Sequence, residues 1–339
     1  MKQSMLGARM QRGQARSPVF RAVLFGMVLA LAVFFLGPVN EFGPDQPAQR
    51  EAPPAHPALI DEWLARQEAA VPDIRAGLHK QITWYGSPGE RTDWAVVYLH
   101  GFTASRLETA PLALQVAQGL GANLYETRLT GHGRSDPQAM GEATVQDWLA
   151  DTVEAVQVGR LLGDRVLLIG VSTGATLGTW LGNREEGQGV AGYVFISPNY
   201  GPKDKKSELI NQPWGMRLAL HLEGDMRGQP SESAIENHAW TQVYPTRALF
   251  PMMALIKRVR ESDLSGFTAP LLVLYSEADQ TVDPEEIKAL FPRIGSTRKS
   301  LEAVDYSEAQ GQHVLAGDIR APQATGRMAD RIVEWARGL

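Results

Sequence analysis

Residues Arg165–Gly178 read RVLLIGVSTGATLG. A run of Val, Leu and Ile stops at Gly170. Ser172 follows, with a glycine two positions to either side, and small residues continue after it. A short apolar run ended by glycine reads as a strand buried on both faces, and the segment after it reads as a helix. Glycines flanking a lone serine at such a junction predict a turn too tight for side chains beside it.

The same alternation continues in both directions. Strands are expected at KQITWYG (Lys80–Gly86), WAVVYLH (Trp94–His100), NLYETRL (Asn123–Leu129), GYVFIS (Gly192–Ser197), PLLVLYS (Pro270–Ser276) and KSLEAV (Lys299–Val304). Helices are expected over Leu59–Val71, Arg106–Gly121, Thr144–Gly163 and Ala175–Leu181, after Asp283, and in the closing segment ATGRMADRIVEWARGL. Strands alternating with helices predict an α/β fold, a mostly parallel central sheet with helices on both faces. In such sheets sites form at the carboxyl ends of the strands.

The residues just past those ends carry chemistry. His100-Gly101-Phe102-Thr103 follows one strand, and Thr130-Gly131-His132-Gly133-Arg134-Ser135 another. Ser172 follows the third, Glu277-Ala278-Asp279 a later one, and His313 the last. A serine, a carboxylate and a histidine thus occur at strand ends in that chain order. Gly170-x-Ser172-x-Gly174 between strand and helix fits a nucleophile elbow, which projects the serine hydroxyl from the sheet edge. The N–H of Thr173, opening the next helix, can then point at a developing oxyanion. Among the carboxylates, Glu277 is nearest the strand, whereas Asp283 before Pro284 reads as a helix N-cap. Of the histidines, His313 alone follows the last strand. His100 and His132 fit better as hydrogen-bonded shapers of a loop. His56, His79, His221 and His238 lie in a linker, before a strand or in an irregular region.

From about Lys80 to Leu339 the chain resembles an α/β-hydrolase. Its segments HGFTAS, GHGRS, GVSTG, SEADQTVDP and GQHV together resemble those of bacterial carboxylesterases and monoacylglycerol lipases. The resemblance implies a Ser172–Asp279–His313 triad, ester hydrolysis and no cofactor. It implies an oxyanion hole from the N–H groups of Phe102 and Thr173, supported by His100, Gly101, Gly170 and Gly174. Thr173 departs from the residue common there, which leaves its backbone donor intact. An acyltransferase using the same triad and a non-catalytic membrane-tethered binding protein are the rival functions.

Composition narrows the partners. The 339 residues are 44% hydrophobic and 21% charged, with net charge −5, which does not favour nucleic acid. With no cysteine, thiolate metal sites, disulfides and a Cys nucleophile are excluded. No metal-ligand spacing occurs. GQGVAG (Gly187–Gly192) matches G-x-G-x-x-G but precedes a strand, the wrong context for a dinucleotide.

The N-terminus points to a membrane. Residues 1–21 carry Lys2, Arg9, Arg12, Arg16 and Arg21 and no acid. The segment Ala22–Val39 has no charge and would span about 27 Å as a helix. This predicts a cytoplasmic basic segment, a single-pass anchor in the inner membrane and a body on the periplasmic side. A cleaved signal peptide and secretion are the alternative. Residues 40–57, rich in proline, read as an extended linker, so the hydrolase domain is expected over 58–339. From about 200 to 265 the alternation stops. Trp214, Met216, Trp240, Tyr244, Phe250, Met252 and Met253 lie there, as in a cap over an apolar site. A small-molecule or lipid-derived ester is the expected substrate.

Overall fold

The computed structural model of the chain describes residues 18–339. It divides into two units, one ending at Pro38 and one running Val39–Leu339. The first holds an apolar helix, Pro18–Phe35, instead of the expected span Ala22–Val39. Gly37 and Pro38 explain the earlier end, because proline lacks an N–H and restricts the residue before it. Its length and composition are those of a signal sequence or a membrane anchor. Of the basic segment expected over 1–21, residues 1–17 lie outside the described residues.

In the second unit the strands are β1 (Gln81–Thr83), β2 (Thr92–Leu99), β3 (Asn123–Glu126), β4 (Gly163–Val171), β5 (Gly192–Ile196), β6 (Met226–Arg227), β7 (Tyr244–Pro245), β8 (Leu271–Tyr275) and β9 (Lys299–Ala303). Seven form one sheet in the order β1-β3-β2-β4-β5-β8-β9. Only β1 runs antiparallel to its neighbour, β3. β6 and β7 form a separate antiparallel ribbon.

Side-chain alternation builds two cores from one sheet. Val97, Leu99, Leu168, Phe195 and Val273 face the helices Val145–Leu162, Thr173–Gly182 and Leu249–Glu261. Val96, Tyr98, Leu167, Ile169, Val194 and Leu272 face Leu112–Leu120 and Pro322–Arg337. The strands are buried on both faces, hence their unbroken apolar runs. Local signals set the helix starts. Thr144 Oγ1 accepts from the Asp147 N–H (3.2 Å) and Asp147 Oδ2 accepts from the Thr144 N–H (3.0 Å), a reciprocal cap. Asp283 caps Pro284–Leu290 as expected. The helix expected over Arg106–Gly121 is shorter, Leu112–Leu120, because Pro111 disfavours helical geometry before it.

The linker reading of 40–57 needs correction, since the compact unit begins at Val39. The segment is extended, as its prolines require, but it is strapped to the body. Asn40 Nδ2 donates to Asn211 Oδ1 (2.9 Å) and to the Phe250 carbonyl (2.8 Å). Asp45 accepts from Trp180 Nε1 (2.9 Å) and pairs with Arg184 and Arg258. Arg50 Nη1 reaches Asp151 Oδ1 at 2.5 Å, matching a carboxylate whose side chain is 1% exposed. A buried charge left unmatched costs several kcal/mol, so the strap is part of the domain's stability, on the order of 3 kcal/mol for that pair if broken.

The insertion over 200–265 holds the helices Gly215–Glu223, Ala234–Ala239 and Leu249–Glu261 and the β6–β7 ribbon. Met252, Met253, Leu255 and Ile256 belong to the main core, so its last helix packs as body.

Candidate functional site

The site forms where β4 ends. β4 lies between β2 and β5 in register Leu99↔Gly170 and Gly170↔Phe195. Ser172 follows at φ +52°, ψ −114°, a conformation that a residue with a Cβ seldom adopts. Its N–H donates to the Ile196 carbonyl (2.9 Å), which holds the turn. The glycines are required by contact. A Cβ on Gly170 would lie 2.8 Å from the Ala175 nitrogen, and one on Gly174 would lie 2.2 Å from the Leu99 carbonyl oxygen. The chain can therefore fold back into the helix Thr173–Gly182 only without those side chains.

The hydroxyl so exposed meets an imidazole. His313 Nε2 is 3.0 Å from Ser172 Oγ, and His313 Nδ1 is 2.8 Å from Asp279 Oδ2. Asp279 is buried, and its Oδ1 accepts from the N–H groups of Thr281 (2.7 Å) and Val282 (2.9 Å). Nδ1 therefore carries the proton and Nε2 is free to accept from the serine. The loops bearing acid and base are joined, since the Gln280 N–H donates to the Gly311 carbonyl (2.9 Å). Ser197 Oγ donates to the His313 carbonyl (2.7 Å) and fixes the base from β5's end. Glu277 turns away to Tyr275 and Lys288, and Asp283 is occupied as a cap. A hydroxyl, an imidazole and a buried carboxylate in this line can activate a serine as nucleophile.

The loop after β2 lies beside the serine. A Cβ on Gly101 would come within 3.2 Å of Ser172 Cβ. His100 Nε2 accepts from the Leu129 N–H (3.0 Å), so Nδ1 holds the proton and donates to the Gly101 carbonyl (2.9 Å). Ala104 N–H also donates to that carbonyl (3.3 Å). With the carbonyl held, the N–H of the same peptide, that of Phe102, is turned the opposite way. Among the described residues neither Phe102 nor Thr173 has a backbone acceptor for its N–H. Two free donors, one at a helix N-terminus, suit a developing negative oxygen.

Burial keeps the two loop histidines neutral. It pushes His100 down to about 4 and His132 well below its ordinary value. The His132 ring packs on His100, Phe102 and Trp148 at centroid separations of 5.1, 6.0 and 5.8 Å. Both are hydrogen-bonded within these loops, His100 as described and His132 Nδ1 3.1 Å from the Thr130 carbonyl oxygen.

The insertion touches this loop. Thr241 N–H donates to the Thr103 carbonyl (2.7 Å), and the Tyr244 ring stands edge-on to Phe102 at 5.4 Å and 89°. All nine residues singled out in the sequence thus fall in one region, along β2, β4, β8 and β9. Tyr244 is among the expected cap residues, whereas nothing in the sequence reading marks Glu108. Glu108, 2% exposed, accepts from the Gly101 N–H through Oε2 (2.9 Å). Arg106–Gly121 reads as one helix, and Pro111 is the signal against its first turns, where Glu108 lies.

Comparison with known proteins agrees with this architecture. The family model described as Hydrolase_4, serine aminopeptidase S33, matches residues 90–310. A thermostable monoacylglycerol lipase of Bacillus sp. (strain H-257) is 26% identical over 241 residues, 71% of this chain and 91% of that protein. Among solved structures, the chain is similar to that reported for the metagenome-derived lipolytic enzymes LipS and LipT. The TM-score is 0.58 at 21% identity, covering 79% of this chain and 100% of that one. It is also similar to a monoacylglycerol lipase of Paleococcus ferrophilus, with TM-score 0.56 at 18% identity, covering 77% and 99%. These structures share the fold, an α/β-hydrolase with a mostly parallel sheet.

Proposed function

The chain belongs to the Hydrolase_4 (serine aminopeptidase, S33) family of α/β-hydrolases, and we propose that it hydrolyses carboxylic esters through an acyl-enzyme on Ser172. The carrying observation is the line Ser172 Oγ–His313 Nε2–Asp279, at 3.0 and 2.8 Å. Ser172 Oγ attacks the ester carbonyl as His313 Nε2 takes its proton. Asp279 holds the Nδ1–H tautomer and stabilises the imidazolium. The N–H groups of Phe102 and Thr173 receive the oxyanion. His313 returns the proton to the leaving alcohol, and a water activated by the same imidazole frees the acid.

Apolar side chains close to the serine support an acyl chain as the group bound. Phe102 and Tyr244 pack edge-on, and Met252 lies beside Asn199, whose N–H donates to the Ser172 carbonyl (3.2 Å). In this reading the segment around Tyr244 is a cap over the site. Monoacylglycerols and p-nitrophenyl esters of graded chain length, with an aminoacyl p-nitroanilide alongside, test the substrate class. The expected result is kcat/KM rising by about tenfold for each two to three methylenes until the pocket is filled, with no comparable turnover of the anilide. Preferred cleavage of the anilide would overturn the ester assignment. Transfer to added alcohols at the expense of hydrolysis would favour the acyltransferase.

The helix Pro18–Phe35 supports a place at the membrane, as a retained anchor with the body outside the cytoplasm or as a signal removed on secretion. For the anchor, the protein recovered from membranes should keep its full-length mass. Loss of the mass of the N-terminal helix would establish the cleaved, secreted form.

A further inference from the structure

The Glu108 carboxylate, which the proposed reaction does not use, lies under the loop that carries Phe102. Oε2 accepts from the Gly101 N–H (2.9 Å) and from the Tyr98 hydroxyl (3.2 Å). Tyr98 in turn accepts from Thr109 Oγ1 (2.8 Å). Oε1 has no hydrogen-bond partner among the described residues. It sits 2.7 Å from where a Gly101 Cβ would be, and that point is 3.2 Å from Ser172 Cβ. By these two legs the free oxygen lies within about 6 Å of Ser172 Cβ. Gly101 is thus glycine because a carboxylate and the serine occupy the space beside it.

We propose that Glu108 is a positioning residue for the ester hydrolysis: its carboxylate pins the Gly101 N–H, so that the next N–H, that of Phe102, stays turned into the site, and its negative charge favours the imidazolium of His313. The inference rests on the function proposed above. Gly101 is held at both ends of its residue, its N–H by Glu108 and its carbonyl by His100 and Ala104. His100 is neutral, so Glu108 adds the charged contact to this loop. An imidazolium forming on His313 pairs directly with Asp279, and Glu108 attracts it more weakly, without contact.

Burial pushes the Glu108 carboxyl up to about 7, while the Gly101 N–H, the His313 imidazole and the Tyr98 hydroxyl oppose the rise. Tyr98 of β2 and His313 beyond β9 act on it, and Glu126 of β3, paired with Arg106 (3.3 Å), acts on Tyr98. The Asp318 N–H donates to the Ala110 carbonyl (2.8 Å). Below neutrality Glu108 gains a proton and loses its charge; above it the charge is present.

Glutamine mimics the protonated acid: it keeps an acceptor for Gly101 and carries no charge. The test compares kcat for p-nitrophenyl butyrate between the full-length chain and Glu108→Gln across pH. At about pH 6 the two should agree within about twofold, and by about pH 9 the wild type should lead by about tenfold, with KM little changed. Tyr98→Phe removes a donor that favours the carboxylate, so it should move the midpoint of the wild-type rise to higher pH. A wild-type to Glu108→Gln ratio that does not vary with pH would overturn the inference while Ser172-dependent turnover persisted. If turnover did not depend on Ser172, the ester-hydrolase reading would fall and this inference with it. If Glu108→Gln failed to fold, an unmoved pH profile in Tyr98→Phe would overturn the inference by itself.

Discussion

Replacing Ser172 by alanine is expected to lower kcat on a short ester by roughly 10⁴- to 10⁶-fold while leaving the protein folded. The hydroxyl is the only atom removed, and with it the nucleophile and the contact with His313 Nε2. The elbow survives, because its geometry comes from Gly170, Gly174 and the Ser172 N–H to the Ile196 carbonyl. Alanine bears the same strained backbone at φ +52° that serine does. A thermal midpoint within a few degrees of wild type, measured alongside kcat, separates lost chemistry from lost structure. Some catalysis above the uncatalysed rate should persist, since the Phe102 and Thr173 N–H groups remain. A loss below about tenfold would mean that another group attacks the ester.

The second large effect belongs to Asp279→Asn, and its cause is the tautomer of His313. Asp279 Oδ1 accepts from Thr281 and Val282 N–H groups. An asparagine oxygen would stay there, so its NH₂ would take the place of Oδ2, facing His313 Nδ1. Two donors would then oppose each other across the present 2.8 Å. The imidazole avoids this by moving its proton to Nε2, where it meets the serine hydroxyl and can no longer accept from it. A fall in kcat of roughly 10⁴-fold at neutral pH follows, with KM changed little. Steady-state kinetics on the same short ester reads it. A variant retaining most of its kcat would show that orientation of His313 does not depend on Asp279.

Much of this site was legible in the chain because its signals are local. An apolar run, two glycines and a serine between Arg165 and Gly178 need no distant partner to be read. Asp283 before proline could be set aside as a cap from two residues alone. What the sequence hid depends on contacts made across long separations. The prolines of 40–57 speak for an extended chain, and the strap is extended. Its docking depends on Asp45 meeting Trp180 and Arg258, and Arg50 meeting Asp151, none of them near in sequence. Glu108 was hidden for another reason. Arg106–Gly121 has helix-forming composition, and tertiary context overrides it before Pro111, turning the glutamate inward beneath the oxyanion loop. The Tyr244–Phe102 contact joins the insertion to a loop over a hundred residues earlier, and no periodicity reports it.

One measurement bears most directly on Ser172 as the nucleophile: the intact mass of wild type and Ser172→Ala after exposure to a fluorophosphonate. An activated serine attacks phosphorus, and the adduct stays on the protein. A single phosphonyl adduct on the wild type, absent from Ser172→Ala, is the predicted result. An adduct that persists on Ser172→Ala, or an unlabelled wild type that still hydrolyses esters, would contradict it.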